Sequence, residues 1–311
     1  MRQACLETLY GLAKRDPRIF FIGSDMGADA VAFKTEMPDR FFLEGIGEAN
    51  VVGLAAGLAL DGKIPYVNSI GAFLTRRSFE QIVLDLCLHK ANVRLLGNGG
   101  GLAYAPLGPT LMATDDLAIL RSVPGMTIIA PADAPEMRRL MPKTVDHPGP
   151  IYVRLAKGSD PAVTRESDPF VIGKAIAMRE GGDALIVTTG TTLRPALEAA
   201  DALVARGVAT AVLHCHTVKP LDKEAILKYA APAAVVVSIE EHSIIGGLGS
   251  AVAEILAEEG FSPAQKFKRI GIPDAFADDY GSQESLLRSF RITAEELVSS
   301  VLELSRGRRI H

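Results

Sequence analysis

The chain has 311 residues, 48% of them hydrophobic and 23% charged, and a formal net charge of −4, a composition that fits a soluble pair of ordinary-sized domains. With no basic block and no apolar run as long as a membrane span, it argues against nucleic acid and membranes as partners. The cysteines, Cys5, Cys87 and Cys215, are odd in number and scattered, which argues against a disulfide framework and for a reducing, cytoplasmic setting.

The N-terminal stretch "QACLETLYGLAKRD" mixes charge into a helical pattern, unlike a signal peptide. "RIFFIGSDM" reads as a buried strand ending in a polar turn, and "RFFLEGI" and "IPYVNSI" as further strands, with an Ala-rich helix after Glu48 between them. "SFEQIVLDLCLHKA" is helical, and "NVRLLGNGG" is a strand running into a glycine-rich loop. "DDLAILRSV" (helix), "MTIIAPA" (strand), "PEMRRLMPKTVDH" (helix) and "GPIYVRLA", the last strand of this unit, follow. The polar stretch from Lys157 to Phe170 reads as a linker. Beyond it the alternation restarts with "DALIVTTGTT", "RPALEAADALVARG", "ATAVLHCHTV" as one strand, "LDKEAILKYA", "AAVVVSIEE", "GLGSAVAEILAEEG" and "FKRIGIP", closing in helix over "SQESLLRSFRITAEELVSSVLELSRG". Such alternation predicts an α/β protein with two open, mostly parallel-sheet domains, 1–160 and 172–311, joined by a linker at 161–171.

Glu48 is the first candidate for chemistry. It stands between a short apolar run and a helix made almost wholly of Gly, Ala, Val and Leu. A carboxylate that close to an apolar wall is costly unless it is paired or does a job. A helix N-terminus that simply favours the charge is the plain alternative. The loop "GNGGGLAYAPLGPT" follows a strand, where open α/β sheets bind ligands, and its glycines suggest close backbone approach to something. "GGLGSAVAEI" follows a strand and opens a helix, but its glycine spacing departs from the dinucleotide fingerprint and fits a tight crossing better. In "HCH", a strand would put His214 and His216 on one face, two ligands short of a metal site. From composition alone, Phe73 is a core residue and Arg76 and Arg77 a solvated pair.

Taken together, these segments resemble the C-terminal half of transketolase, and more specifically the small subunit of a split transketolase. The block "GIGEANVVGLAAGLALDGKIPYVNSIGAFLTRRSFEQI" is similar to the family patterns "GEQNMVGIAAGLA" and "F…TRRAFDQI", and "VKPLD" and "EEHSIIGGLGS" are similar to its C-terminal domain. The resemblance implies thiamine diphosphate as cofactor, held through Mg²⁺ mainly by another chain. It implies that Glu48 faces the aminopyrimidine ring, that Phe73 stacks on it, and that Asp25 and Ile70 lie near it. Arg2 and Arg154 match arginines that grip a sugar phosphate.

The family's "GDG…N" diphosphate motif is not in the sequence, which implies an N-terminal partner subunit and an α₂β₂ assembly. Departures from the family pattern fall in the substrate loop. Leu107 stands at an acidic position, Leu111 and Met112 where histidine is common, Gly99 at another frequent histidine, and Ile70 at a second aromatic. The implied activity is transfer of a two-carbon ketol unit between a sugar or sugar-phosphate donor and an aldehyde, with an atypical pocket. Alternatives are a thiamine-dependent carboligase, a component like the 2-oxo acid dehydrogenase β subunits, or a non-catalytic assembly subunit.

Overall fold

The computed structural model describes residues 1–24, 30–156, 161–259 and 265–306. The first half runs α1 (Arg2–Ala13), β1 (Ile19–Ser24), α2 (Val31–Glu36), β2 (Phe41–Glu44), α3 (Glu48–Leu60), β3 (Ile64–Ile70), α4 (Gly71–Arg77) and α5 (Phe79–Gln81). The last of these continues as a π-helical stretch, Ile82–Leu88, before β4 (Arg94–Asn98), α6 (Asp116–Arg121), β5 (Thr127–Ile129), α7 (Ala134–Thr144) and β6 (Ile151–Leu155). The second half holds β7 (Ile176–Arg179), β8 (Ala184–Thr188), α8 (Leu193–Val204), β9 (Thr210–His214), β10 (Thr217–Lys219) and α9 (Lys223–Ala230). It closes with β11 (Val235–Ser243), α10 (Leu248–Glu259), β12 (Lys266–Ile272), α11 (Gln283–Ser289) and α12 (Ala294–Ser305).

Two mostly parallel sheets result, in the orders β10-β5-β6-β4-β3-β1-β2 and β12-β11-β8-β9-β7. Only the β10–β5 and β7–β9 pairs are antiparallel among the described residues. The central strands read as unbroken apolar runs because both of their faces are covered. Phe21, Tyr66, Leu96 and Val153 pack toward α1 and α7. Their chain neighbours Ile22, Val67, Leu95 and Tyr152 pack toward α3, the π-helical stretch and α6. That is the two-residue period of a strand with each residue type buried on its own side.

Three expectations are corrected here. "ATAVLHCHTV" is not one strand. β9 ends at His214 in the second sheet, and β10 crosses to pair with β5 at the edge of the first. The first sheet therefore does not end with β6: the second half of the chain contributes one of its seven strands. The closing helix is two helices, broken where Arg291 takes φ 58° and Thr293 caps α12 by accepting the Glu296 N–H. The segment after residue 160 is tied down. Asp133 accepts the N–H groups of Val163 and Thr164 and the hydroxyl of Thr164, and Phe170 stacks on His216 at 4.1 Å.

Candidate active site

β3 turns into α4 with no intervening loop. A side chain at Gly71 would sit 3.1 Å from the Tyr152 hydroxyl and 3.2 Å from the Asn98 carbonyl, closer than ordinary van der Waals contact, so the corner favours glycine. The four-residue spacing of Phe73 and Arg77 puts both on one face of α4. The Arg77 guanidinium carbon lies 3.9 Å from the centre of the Phe73 ring. Arg77 Nη1 also donates to Glu48 Oε2 at 3.2 Å, and Ser69 Oγ donates to Oε1 at 3.3 Å. Glu48 opens α3 and is 1% exposed, whereas the Arg77 side chain is 46% exposed.

A small wall adjoins this group. Ile70, Ala72, Tyr104 and Ala113 are buried together, with Phe73 and Leu111 packed half-buried against them. Glu48, Ile70, Phe73 and Leu111 are thus brought together at the C-terminal end of β3 and the loop after β4. Gly99 belongs here through an absence of side chain. Its φ is 76°, and a Cβ there would stand 2.1 Å from the Tyr104 ring.

The other expected site residues that are described, Arg2, Arg154, Leu107 and Met112, have surroundings of their own. Asp25 falls outside the described residues. Arg154 is not placed as a free grip for a phosphate. Its Nε and Nη2 donate to Asp116 at 2.8 and 3.0 Å, and Nη2 also to the carbonyls of Ala113 and Glu241. Tyr152 donates to the same carboxylate at 2.7 Å. Burial alone would push the Asp116 carboxyl up, yet Arg154 and His242 beside it hold it below the usual range. β6 faces α6 here, and the guanidinium keeps Asp116 charged inside. Arg2 is half-buried and lines a cavity of about 470 Å³ with Tyr10, Phe21 and Phe33. Met112 is 1% exposed and belongs to the apolar core shared with Leu193 and Ile239 of the second half. Leu107 is 54% exposed on a short turn.

The glycines of the loop are explained by the chain itself. Side chains at 97, 100 and 101 would collide with Tyr152, Arg154 and Glu241. The Gly246–Ile255 turn is likewise filled from within: Glu240 accepts the N–H groups of Leu248 and Gly249 at 2.7 and 2.8 Å. His214 Nε2 lies 2.9 Å from Glu136 Oε2, and burial pulls His216 down to about 4, leaving it neutral. Sequence reasoning missed Ser69, Arg77 and Tyr104. For Arg77 the signal was available, since it stands four residues after Phe73 on a helix.

Residues 1–161 match the family "Transketolase, pyrimidine binding domain" and residues 173–297 match "Transketolase, C-terminal domain". The chain is 39% identical to a 6-deoxy-6-sulfo-D-fructose transketolase subunit of Clostridium sp. (strain MSTE9), over 98% of this chain and 94% of that one. It is 36% identical to one of the subunits of the apulose-4-phosphate transketolase of Phocaeicola vulgatus, over 97% of this chain and 96% of that one. Among solved structures, a split-gene transketolase described as an inactive beta4 tetramer superposes with a TM-score of 0.88 at 35% identity, covering 99% of this chain and 98% of that one. The chain belongs to the transketolase family, and along nearly its whole length it corresponds to subunits of that family's split members.

Proposed function

We propose that this chain is the C-terminal subunit of a thiamine-diphosphate-dependent transketolase that moves a two-carbon ketol unit from a ketose to an aldehyde, and that it works only with an N-terminal subunit. The observation that carries the reading is Glu48, a buried carboxylate at the head of a helix made almost wholly of Gly, Ala, Val and Leu, joined to Phe73 through one half-exposed arginine.

The residues fit the cofactor's aminopyrimidine end. The Phe73 face already takes a flat, charged group, the Arg77 guanidinium, so a planar heteroaromatic ring can stack there once Arg77 withdraws. Glu48 is held by the same arginine and offers a carboxyl to a ring nitrogen. Bound thiamine diphosphate supplies an acidic thiazolium carbon and an electron sink. Glu48 holds and returns a proton at N1′ of the ring, Phe73 fixes the ring's plane, and the apolar residues of α3 keep water from the carboxyl. The sequence has no "GDG…N" stretch, and on this reading the diphosphate and Mg²⁺ are held by the partner, with α₂β₂ the simplest complete assembly.

Leu111 beside Phe73 and the missing side chain at 99 offer nothing to a sugar hydroxyl. One relative is named for 6-deoxy-6-sulfo-D-fructose and the other for apulose 4-phosphate, neither of them for xylulose 5-phosphate. The substrate proposed here is accordingly a sugar or sugar phosphate whose hydroxyl pattern differs from xylulose 5-phosphate.

The test is calorimetry with thiamine diphosphate and Mg²⁺, first on the isolated chain and then on the chain mixed with an N-terminal subunit carrying "GDG…N". Tight binding is expected only in the mixture. Tight, Mg²⁺-dependent binding by the chain alone overturns the partner requirement.

A further inference from the structure

We propose that Ser69 is a positioning residue for the proton chemistry at Glu48, an inference that rests on the transketolase reading above. The two oxygens of the Glu48 carboxyl have partners of opposite character. Oε2 takes Arg77, whose side chain is 46% exposed. Oε1 takes the hydroxyl of Ser69, which is 0% exposed near the end of β3, a strand buried along its whole length.

Ser69 is fixed through its backbone. Asn98 Nδ2 donates to the Ser69 carbonyl at 2.9 Å and to Asn68 Oδ1 at 2.7 Å. Both of those oxygens only accept, so the Asn98 amide stands there in one orientation. Its side chain thus stitches β4 to β3 at the last pair of their ladder, Ile70 with Asn98. Ser69 itself pairs with Gly97, and a Cβ at Gly97 would fall 2.4 Å from the Tyr152 hydroxyl. Paired residues share a face of the sheet, so the phenol packs on the face from which the Ser69 hydroxyl reaches Glu48.

The last torsion of a glutamate is broad and roughly two-fold, so a carboxyl has one setting only when a fixed partner chooses it. Arg77 ceases to be that partner once it withdraws from Phe73. Ser69 stays, keeps Oε1 turned toward β3, and leaves Oε2, the oxygen that Arg77 gives up, for N1′ of the cofactor's ring. Return of a proton at N1′ depends on this alignment. Affinity depends on it far less, since stacking on Phe73 and the partner's hold on the diphosphate do not involve Ser69.

The test follows exchange of the cofactor's C2 proton by NMR in the complex reconstituted with the N-terminal subunit, at saturating thiamine diphosphate and Mg²⁺. Ser69→Ala is expected to slow exchange by about tenfold, the loss of one hydrogen bond to a charged group, and to lower kcat with it. The Kd for thiamine diphosphate should stay within about threefold of wild type. Made in the Glu48→Gln background, the same substitution should change exchange by less than about twofold, because Ser69 acts through the carboxyl. Exchange is read per complex with cofactor bound, so a loss of stability does not enter it. Exchange at the wild-type rate in Ser69→Ala overturns the proposal, as does a tenfold loss that persists in the Glu48→Gln background. A wild-type complex whose exchange is no faster than that of Glu48→Gln overturns the parent reading instead, and this one with it.

Discussion

Two buried glutamates, one in each half of the chain, stand at the entrance of a helix and differ in what surrounds them. Glu240 leaves β11 and takes the N–H groups of Leu248 and Gly249 on the first turn of α10, with a Cβ at Gly247 excluded by its carboxylate at 2.0 Å. Glu48 leaves the head of α3 and takes one hydroxyl at 3.3 Å and one guanidinium that is half in solvent. Burial is nearly equal, 0% against 1%. What separates them is the freedom of the partners. Backbone amides of a packed helix cannot leave, so Glu240 is a fixed part of the fold. The Arg77 side chain is 46% exposed, so the withdrawal that the proposed function asks of it would let Glu48 change partners without unfolding the helix.

The same substitution at both positions should therefore give opposite results. Glu48→Gln is expected to leave the unfolding midpoint nearly unchanged and to lower turnover of the reconstituted complex by about 10²–10⁴-fold, because an amide cannot exchange the proton at N1′. Slower exchange of the cofactor's C2 proton, followed by NMR, should accompany the loss. Normal exchange in the variant would remove Glu48 from the mechanism.

Arg154 sharpens the contrast from the side of the cations. If its role is the internal tie to Asp116, Arg154→Ala leaves a buried carboxylate unpaired, a change that costs about 3–5 kcal/mol. Urea unfolding should show that loss in the isolated chain, where no substrate is present. A variant of unchanged stability whose KM for a phosphorylated donor rises would return Arg154 to the substrate.

The sequence made some of this legible and hid the rest for identifiable reasons. Parallel strands buried on both faces leave unbroken apolar runs, so the alternation of both domains could be read, and Glu48 stood out as a charge between a short apolar run and a nearly all-apolar helix. β10 could not be read: three residues carry no period, and only the tertiary pairing with β5 defines them. The Arg154 tie was hidden because Asp116 is 38 residues away on another element. The glycines after β4 looked like room for a ligand, and only the folded positions of Tyr104, Tyr152 and Arg154 show what fills that room. Arg77 looked like one of a solvated pair because composition does not report that a helix turn lays it across Phe73 onto Glu48.

Glu240→Gln carries the smallest expected effect and the clearest dependence on pH. Burial raises the Glu240 carboxyl to about 7, against the downward pull of the Gly249 and Leu248 amides and of Arg154 and Arg121. An unfolded glutamate titrates near 4.5. Between those values the native chain keeps a proton that the unfolded chain has released. The stability Glu240 contributes is therefore complete below about pH 4.5, falls as pH rises toward 7, and levels off above it, a total change on the order of 3 kcal/mol. Glutamine does not titrate, and it offers one acceptor where two amides need them, which costs about 1–3 kcal/mol. Wild type should thus exceed Glu240→Gln in urea stability most clearly near pH 5, with the gap narrowing toward pH 8. His242 packs 3.7 Å from the carboxylate, and burial lowers its own pKa. It is present in both proteins, so the difference between them reports Glu240 together with its coupling to His242. Turnover per folded complex should be unchanged at every pH. A gap that widens with pH would mean that the two amides favour the charged carboxylate more than burial disfavours it. Turnover that falls with the substitution would mean that Glu240, like Glu48, acts beyond the fold.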